Sequence, residues 1–566
     1  METNIFNVVA VEKLRFSFAT DEKKLLQWLE SLATAQSFPA SAQILELVQT
    51  VNSLQLKPET KIKFLLHIYN FLPVIVTVLQ KSYLDQSLPL NTDVQLKVER
   101  VIKLYFEIAL ALWVNLETHP SAGKELHVLT LHLSFDSLAQ TLLHSSFSYH
   151  QVPQGFWQHC YTLYAYAEQS KLLPITCKYP VPDQQSPPAI PLSIESKFKY
   201  LVLFHLCDTQ QFRAREQQII FRHLLDFAHN AKIYPTCQQE MQTGMYTFNL
   251  LSDQGPHKIL TTETAPEKHI RFCYCLRAAK AMHDSIRQLS TTSTLDKSQH
   301  EAILKAASTL GLVRKRKFTR VKKNIQHPGI IGFNPILDYL RSRNSDLVNK
   351  VSSTETSSIF QPKASSKFDL VPLGEEVAHQ MRTTLTQPET QNSSLGRILS
   401  VSNLNNDAAL NASLLNNPGL CELAILDSSV KGYGLMTQNQ DVDVKIGDIL
   451  GLVDRGTQNL EISLIRRINQ LDDNALRIGV EVLSFQTQLV YVCRRYQTQQ
   501  GIWALLIPEI DSLNQPSSLI YNGSLLKPND TIQVESVAGV SHYQLQKTLT
   551  TTPAITWVQL EAIVGE

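Results

Sequence analysis

Along the first 310 residues the apolar positions recur at helical spacing. In 92–116, Val94, Val98, Val101, Ile102, Tyr105 and Leu112 share one helical face, and Thr92 with Gln95 has the form of a capping box at its start. The run 61–79 is another helix, with Pro58 and Glu59 as starters and Pro73 as an internal kink. Phe156–Gln169 and 212–228 continue the pattern, so 1–310 is expected to be an all-helical scaffold, an irregular bundle or an α-solenoid without a clean repeat period. One stretch departs from it: 245–251 alternates enough to be a short strand or an extended edge, ahead of the turn-rich 252–257.

The pattern changes twice more. Between 351 and 420, 28 of 70 residues are Ser, Thr, Asn or Gln, a composition that favours loop or disorder, although 396–401 could supply a strand. After Cys421 the apolar runs shorten to strand length (423–426, 478–483, 489–493, 503–507, 531–534, 556–560) with Gly, Asn and Pro between them. The remaining residues have room for two small β-barrels. The expected architecture is therefore α plus β. A helical domain occupies 1–310, and a basic arginine segment with a strand and a short helix occupies 311–343. A polar linker or insertion spans 344–395, a first barrel 396–485 and a second 486–566.

Composition excludes more than it selects. The chain is 43% hydrophobic and 18% charged with a formal net charge of +1, so electrostatic recognition has to be local. The most apolar windows, 71–79 and 108–114, fall short of the roughly 20 residues that span a bilayer, so no transmembrane segment is expected. The opening METNIFNVVAVEKLRF lacks the pattern of a signal peptide, and a cytoplasmic protein is the expectation. The eight cysteines are scattered; Cys273 and Cys275 form a lone C-x-C with no second pair or nearby histidine, which reads as buried thiols and no metal site.

Three short features carry candidate chemistry. The run 314–323 holds seven basic residues in ten, with Arg316 and Arg320 as an R-x-x-x-R pair beside Arg314 and Lys315. Asp427, Ser429 and Gly432 make a D-x-S-x-x-G pattern after the strand at 423–426. Lys445-Ile-Gly447-Asp448 is a turn into a strand, followed by 462–468 and Ile478-Gly479-Val480-Glu481. Each is weak alone. A basic run is usually a solvated face or a nucleic-acid or membrane patch, and Asp427 with Ser429 could simply form an Asx-type turn.

Taken together and in this order, these residues resemble the PilZ domain. The resemblance implies a cyclic di-GMP receptor in which Arg316, Arg320, Asp427, Ser429 and Gly432 bind the ligand, with Lys315, Arg314 and Arg397 as possible further contacts. Arg467 stands where that family often has tryptophan. The chemistry fits such a ligand. A guanidinium can fork onto guanine O6 and N7 or onto phosphate, and can stack on a purine. A carboxylate at Asp427 offers an acceptor to the N1–H and N2–H2 edge, Ser429 a compact hydroxyl, and Gly432 close backbone approach. No cofactor is implied beyond that ligand. The distance along the chain is unusual for the family: 107 residues separate Arg320 from Asp427, so the arginines must fold back to the barrel.

The helical part is similar to the N-terminal region of a group of long PilZ proteins, the FimW type tied to type IV pili and surface behaviour. The matching residues include Gly155-Phe-Trp157, Leu163-Tyr164-Ala165, Ala167-Glu168, 199–203, Phe248 to Asp253, Pro256 and 334–340. This resemblance implies a protein partner engaged through the helical domain, in the type IV pilus or motility machinery. Trp157, Tyr164 and Tyr200 are expected in the helix-packing core. The chain contains no Walker A, zinc-protease or Gly-x-Ser-x-Gly motif and no GGDEF or EAL signature, so an enzyme is not expected. Two other classes remain open at this point. One is a ligand-independent scaffold whose barrels bind proteins. The other is a nucleic-acid binder using 314–323, disfavoured because Phe318 is the only aromatic available for stacking there.

Overall fold

A computed structural model describes residues 21–32, 36–54, 56–177, 191–237, 244–259, 267–289, 297–311, 319–359, 420–439, 441–454, 459–471, 474–495, 497–509, 516–523 and 525–563. Contacts divide the chain into two units, 1–332 with 421–485 and 333–420 with 486–566.

In the first unit the helical pattern becomes α1 (Glu22–Ser31), α2 (Ser37–Ser53), α3 (Pro58–Gln80), α4 (Thr92–Thr118), α5 (Lys124–Phe147), α6 (Phe156–Gln169), α7 (Ile194–Leu206), α8 (Ala214–Leu224), α9 (Leu276–Leu289) and α10 (Lys297–Gly311). Helix α4 starts as expected but with a different cap. Asn91 accepts from the Val94 amide at 2.9 Å, while the Gln95 side chain turns to Glu99. Helix α3 runs through Pro73, and by length and composition it could cross a bilayer. Ten of its residues are buried, packed among α1, α2, α4 and α5, the surroundings of a core helix. Helix α5 is buried on every side, its Ser and Thr hydroxyls donating to carbonyls one turn back: Ser134 to Thr130, Ser137 to Leu133, Thr141 to Ser137.

The region 1–310 is not helical throughout. Four short strands, β1 (Lys232–Tyr234), β2 (Met245–Asn249), β3 (His257–Lys258) and β4 (Ile270–Tyr274), form an antiparallel sheet in the order β1-β4-β2-β3. The alternation at 245–251 falls on β2; the other strands, two to five residues long, are too short to show a period. The sheet explains one of the sequence signatures. Asp253, just past β2, accepts from the amides of Gly155, Trp157 and Gln158 at 2.6, 3.0 and 3.1 Å, satisfying the start of α6. Trp157, Tyr164 and Tyr200 are all buried, as expected of core aromatics. Cys273 and Cys275 are buried free thiols with sulfurs 3.7 Å apart.

The rest of this unit is a closed six-stranded barrel of β5 (Val321–Ile331), β6 (Leu420–Ser429), β7 (Gly432–Thr437), β8 (Ile449–Val453), β9 (Leu460–Gln470) and β10 (Leu476–Ser484), in the order β10-β7-β6-β5-β8-β9. The helices and this barrel share one apolar core, which runs from Leu25 through Phe248 to Leu423, Leu435 and Ile478. Polar contacts fix the junction. Leu88 and Val444 exchange backbone hydrogen bonds at 3.0 Å, Arg213 Nε donates to the Ile446 carbonyl at 2.9 Å, and the Gln470 amide donates to the Tyr149 carbonyl at 3.0 Å.

In the second unit, β11 (Gln488–Arg494), β12 (Gln497–Ile507), β13 (Ser518–Tyr521), β14 (Thr531–Ser536), β15 (Gly539–Thr551) and β16 (Thr556–Ala562) close a second barrel in the order β11-β12-β13-β16-β15-β14. Helix α11 (Phe333–Arg343) packs against it, with the Arg341 guanidinium 5.1 Å above the Trp503 ring. The expected polar linker at 344–395 begins instead as helix α12 (Ser345–Ile359), anchored by Leu347 and Val351 beside Tyr491. Two apolar residues a turn apart seat this helix, whose sequence is otherwise mostly polar. The candidate strand at 396–401 lies outside the described residues.

Candidate functional site

The D-x-S-x-x-G pattern folds as a hairpin. Asp427 and Ser429 lie on β6, Val430 and Lys431 make the two-residue turn, and Gly432 opens β7 opposite Ser429. Ser429 Oγ donates to the Gly432 carbonyl at 3.1 Å and so braces the turn, keeping its lone pairs as acceptors. Gly432 has a structural reason of its own: a Cβ there would lie 2.2 Å from the Val480 carbonyl oxygen of β10.

The long chain separation closes in space. Arg320 Nη1 donates to Asp427 Oδ1 at 2.7 Å, and Arg477 Nη2 on β10 stands 3.9 Å from Asp427 Oδ2. Strand β5, which begins at Val321, lies beside β6 in the barrel and so carries the end of the basic run to the motif. Arg314, Lys315, Arg316 and Arg397 lie outside the described residues. The Asp427 side chain is 15% exposed and that of Arg320 36%, so the anion is partly desolvated and its cation faces solvent. That is a pair a competing ligand can reach.

Sheet register extends the site. Asp427 pairs with Gly434, Gly434 with Gly479, and Gly479 with Arg467, one row across β6, β7, β10 and β9. A Cβ at Gly434 would come within 2.8 Å of Asp427 Oδ1, so the carboxylate leans over a bare strand. Two successive glycines leave backbone between the Asp427 cluster and Arg467, the kind of floor a planar base can approach. Arg467 donates to Gln210 Oε1 at 2.9 Å through Nε and at 2.7 Å through Nη2, and to Asp208 Oδ2 at 3.3 Å. The motif reading did not single out Arg477. Its place two residues before Gly479 on one strand, hence on the same face, is the signal that would have found it.

A second polar feature belongs to the same barrel. Tyr433 on β7 donates to Glu461 Oε2 on β9 at 3.1 Å, a bond that spans β10, the strand between them. Glu461 Oε1 and Ser463 Oγ are buried with no hydrogen-bond partner among the described residues. Burial raises the Glu461 carboxyl to about 7, opposed by the Tyr433 hydrogen bond and the charge of Lys323. The folded pKa therefore lies above the unfolded one. The stabilisation is complete below the ordinary carboxyl range, near pH 4.5, and is lost as pH rises through about 7. Glu461→Gln is expected to melt like the parent at pH 5 and to be more stable by about 1–3 kcal/mol at pH 8, after allowance for solvent screening of a partly exposed group. Thermal melts of both proteins from pH 5 to pH 8 measure this; parallel curves would dismiss the carboxyl as the titrating group.

A closed six-stranded barrel with an acidic hairpin opposed by an arginine from the preceding segment defines a PilZ-type ligand-binding domain. Comparison with known families agrees over nearly the whole chain. Residues 23–236 match the family described as cyclic-di-GMP receptor FimW, N-terminal domain; 246–488 match its middle PilZ domain; 492–563 match its C-terminal beta-barrel domain. The chain belongs to the FimW family of cyclic-di-GMP receptors. No curated protein and no solved structure matches it. A receptor family of this kind is a binding module.

Proposed function

We propose that the protein binds cyclic di-GMP through Arg316, Arg320, Asp427, Ser429 and Gly432, and that occupancy of this site is passed to a protein partner through the helical domain, in the control of surface behaviour, motility or type IV pili. The observation that carries the reading is the Arg320–Asp427 bond, which joins the two halves of the motif across 107 residues. In the structure each charge is the other's partner. The ligand replaces both partners at once: guanine N1–H and N2–H2 donate to Asp427, while the freed guanidinium of Arg320 forks onto phosphate or onto guanine O6 and N7. The switch then lies in the differential affinity of the ligand for the arrangement with the arginine segment closed around it. The shared core and backbone hydrogen bonds at the barrel junction supply a stiff path from the site to the helices.

Isothermal titration of the full chain with cyclic di-GMP tests the site. Binding in the micromolar range or tighter is expected for the parent, and Arg316→Ala/Arg320→Ala should weaken it by at least about a hundredfold, since each lost charge-assisted contact is worth on the order of 1.5–3 kcal/mol. Unchanged binding by the double variant, or none by the parent, would end the assignment.

A further inference from the structure

Beside the barrel, a cavity of about 590 Å³ opens in the helical domain, lined among others by His205, Asp208, Gln210, His257, Lys258 and Arg467. Its volume is in the range of small-molecule sites. The lining mixes charges. Lys258 and Arg467 are cationic and Asp208 is the single carboxylate. Burial lowers His205 to about 4, so that ring is neutral at physiological pH. Asp208 is held in the left-handed region, φ 57° and ψ 63°, which Asp and Asn adopt more readily than other residues with a side chain. Arg467 belongs to both places. It ends the row that begins at Asp427, and its guanidinium reaches Asp208 and Gln210 at the cavity. From Asp427 to Arg467 the row crosses three strand spacings, roughly 14 Å, over the bare backbone of Gly434 and Gly479.

We propose that this cavity is the second half of the ligand site, so that cyclic di-GMP bridges the barrel and the helical domain with one guanine at Asp427 and the other in the cavity. The proposal rests on the receptor reading above and adds the helical-domain residues that complete recognition. The purine's N1–H and N2–H2 donors meet the Asp208 carboxylate and the Gln210 side-chain carbonyl, and Lys258 and Arg467 face the phosphodiester. To enter, the guanine takes Asp208 and Gln210 from Arg467, whose guanidinium turns to the phosphate. One molecule then holds the helices and the barrel in a single arrangement, which gives the helical domain a direct view of the messenger.

The test is titration of the full chain with cyclic di-GMP, comparing the parent with Asp208→Asn and with His257→Ala/Lys258→Ala. Asparagine tolerates the left-handed conformation, so Asp208→Asn keeps the backbone while removing the anion. Each variant is expected to bind about tenfold or more weakly, with an unchanged melting temperature in the absence of ligand. Parent-like affinity in both variants overturns the proposal. If Arg316→Ala/Arg320→Ala still loses binding in that case, the receptor reading survives alone. A parent that does not bind overturns both. A third arm distinguishes an independent nucleotide pocket: GMP titrated into Asp427→Ala should show no binding in the range where the parent takes up cyclic di-GMP. Saturable GMP binding there would overturn the bridging arrangement.

Discussion

Asp427→Ala is expected to weaken cyclic di-GMP binding by at least about a hundredfold while leaving the protein folded, because a partly desolvated acceptor of charge-assisted hydrogen bonds is worth on the order of 3 kcal/mol. Two losses combine. The guanine edge loses the carboxylate that accepts its N1–H and N2–H2, and Arg320 loses the partner that holds it at 2.7 Å from the barrel. The carboxylate side chain is only 15% exposed, so its deletion also leaves a space that water fills less favourably than the oxygens it replaces. Folding should survive, since Arg320 is exposed enough to be solvated when released. Titration calorimetry beside a melting curve separates the two effects. An Asp427→Ala protein that binds more tightly than the parent would mean that the carboxylate acts as a competitor for Arg320, not as a ligand contact.

Gly432→Ala is expected to lower the melting temperature of the barrel unit by roughly 5–10 °C, in line with a cost of about 3 kcal/mol or more for overpacking against backbone. The added Cβ would sit 2.2 Å from the Val480 carbonyl oxygen, a main-chain atom that cannot rotate away. Relief requires β7 and β10 to part at the pair Gly432–Glu481, next to the hairpin turn that Ser429 braces. Ligand affinity should therefore fall together with stability in this variant, whereas Asp427→Ala should lose affinity alone. If Gly432→Ala melts with the parent but binds poorly, the glycine serves the ligand directly, as the D-x-S-x-x-G resemblance implies.

Parts of the site are legible in the sequence and parts are not. Arg320, Asp427 and Ser429 carry functional groups whose chemistry is visible in one dimension, and the resemblance supplied their order. Gly432 also carries the motif, but its contact with Val480 is a matter of strand pairing. Gly434 and Arg477 join the site through register, as does Arg467, which the resemblance marks only as a departure: Gly434 and Gly479, far apart in the chain, become direct partners, and the row continues to Arg467, because β6, β7, β10 and β9 lie side by side. Asp208 and Gln210 come from a turn in the helical domain whose local sequence carries no ligand signal.

The hydrophobic pattern by itself determined the helical region, the strands after Cys421 and the presence of two barrels, since amphipathic period and turn residues are local properties that survive into the folded chain. It marked β2 but not the other three strands of the sheet within 232–274, which are too short to show a period, and within the helical region it did not single out α5, which has no polar face because every side is buried. Tertiary structure alone decided that a shared core joins the helices to the first barrel, and that Asp253 caps α6 across nearly a hundred residues. It also decided that Arg320 reaches Asp427. Bringing two charges together across 107 residues depends on where strand β5 enters the barrel, and that position follows from the pairing of whole strands and not from either motif.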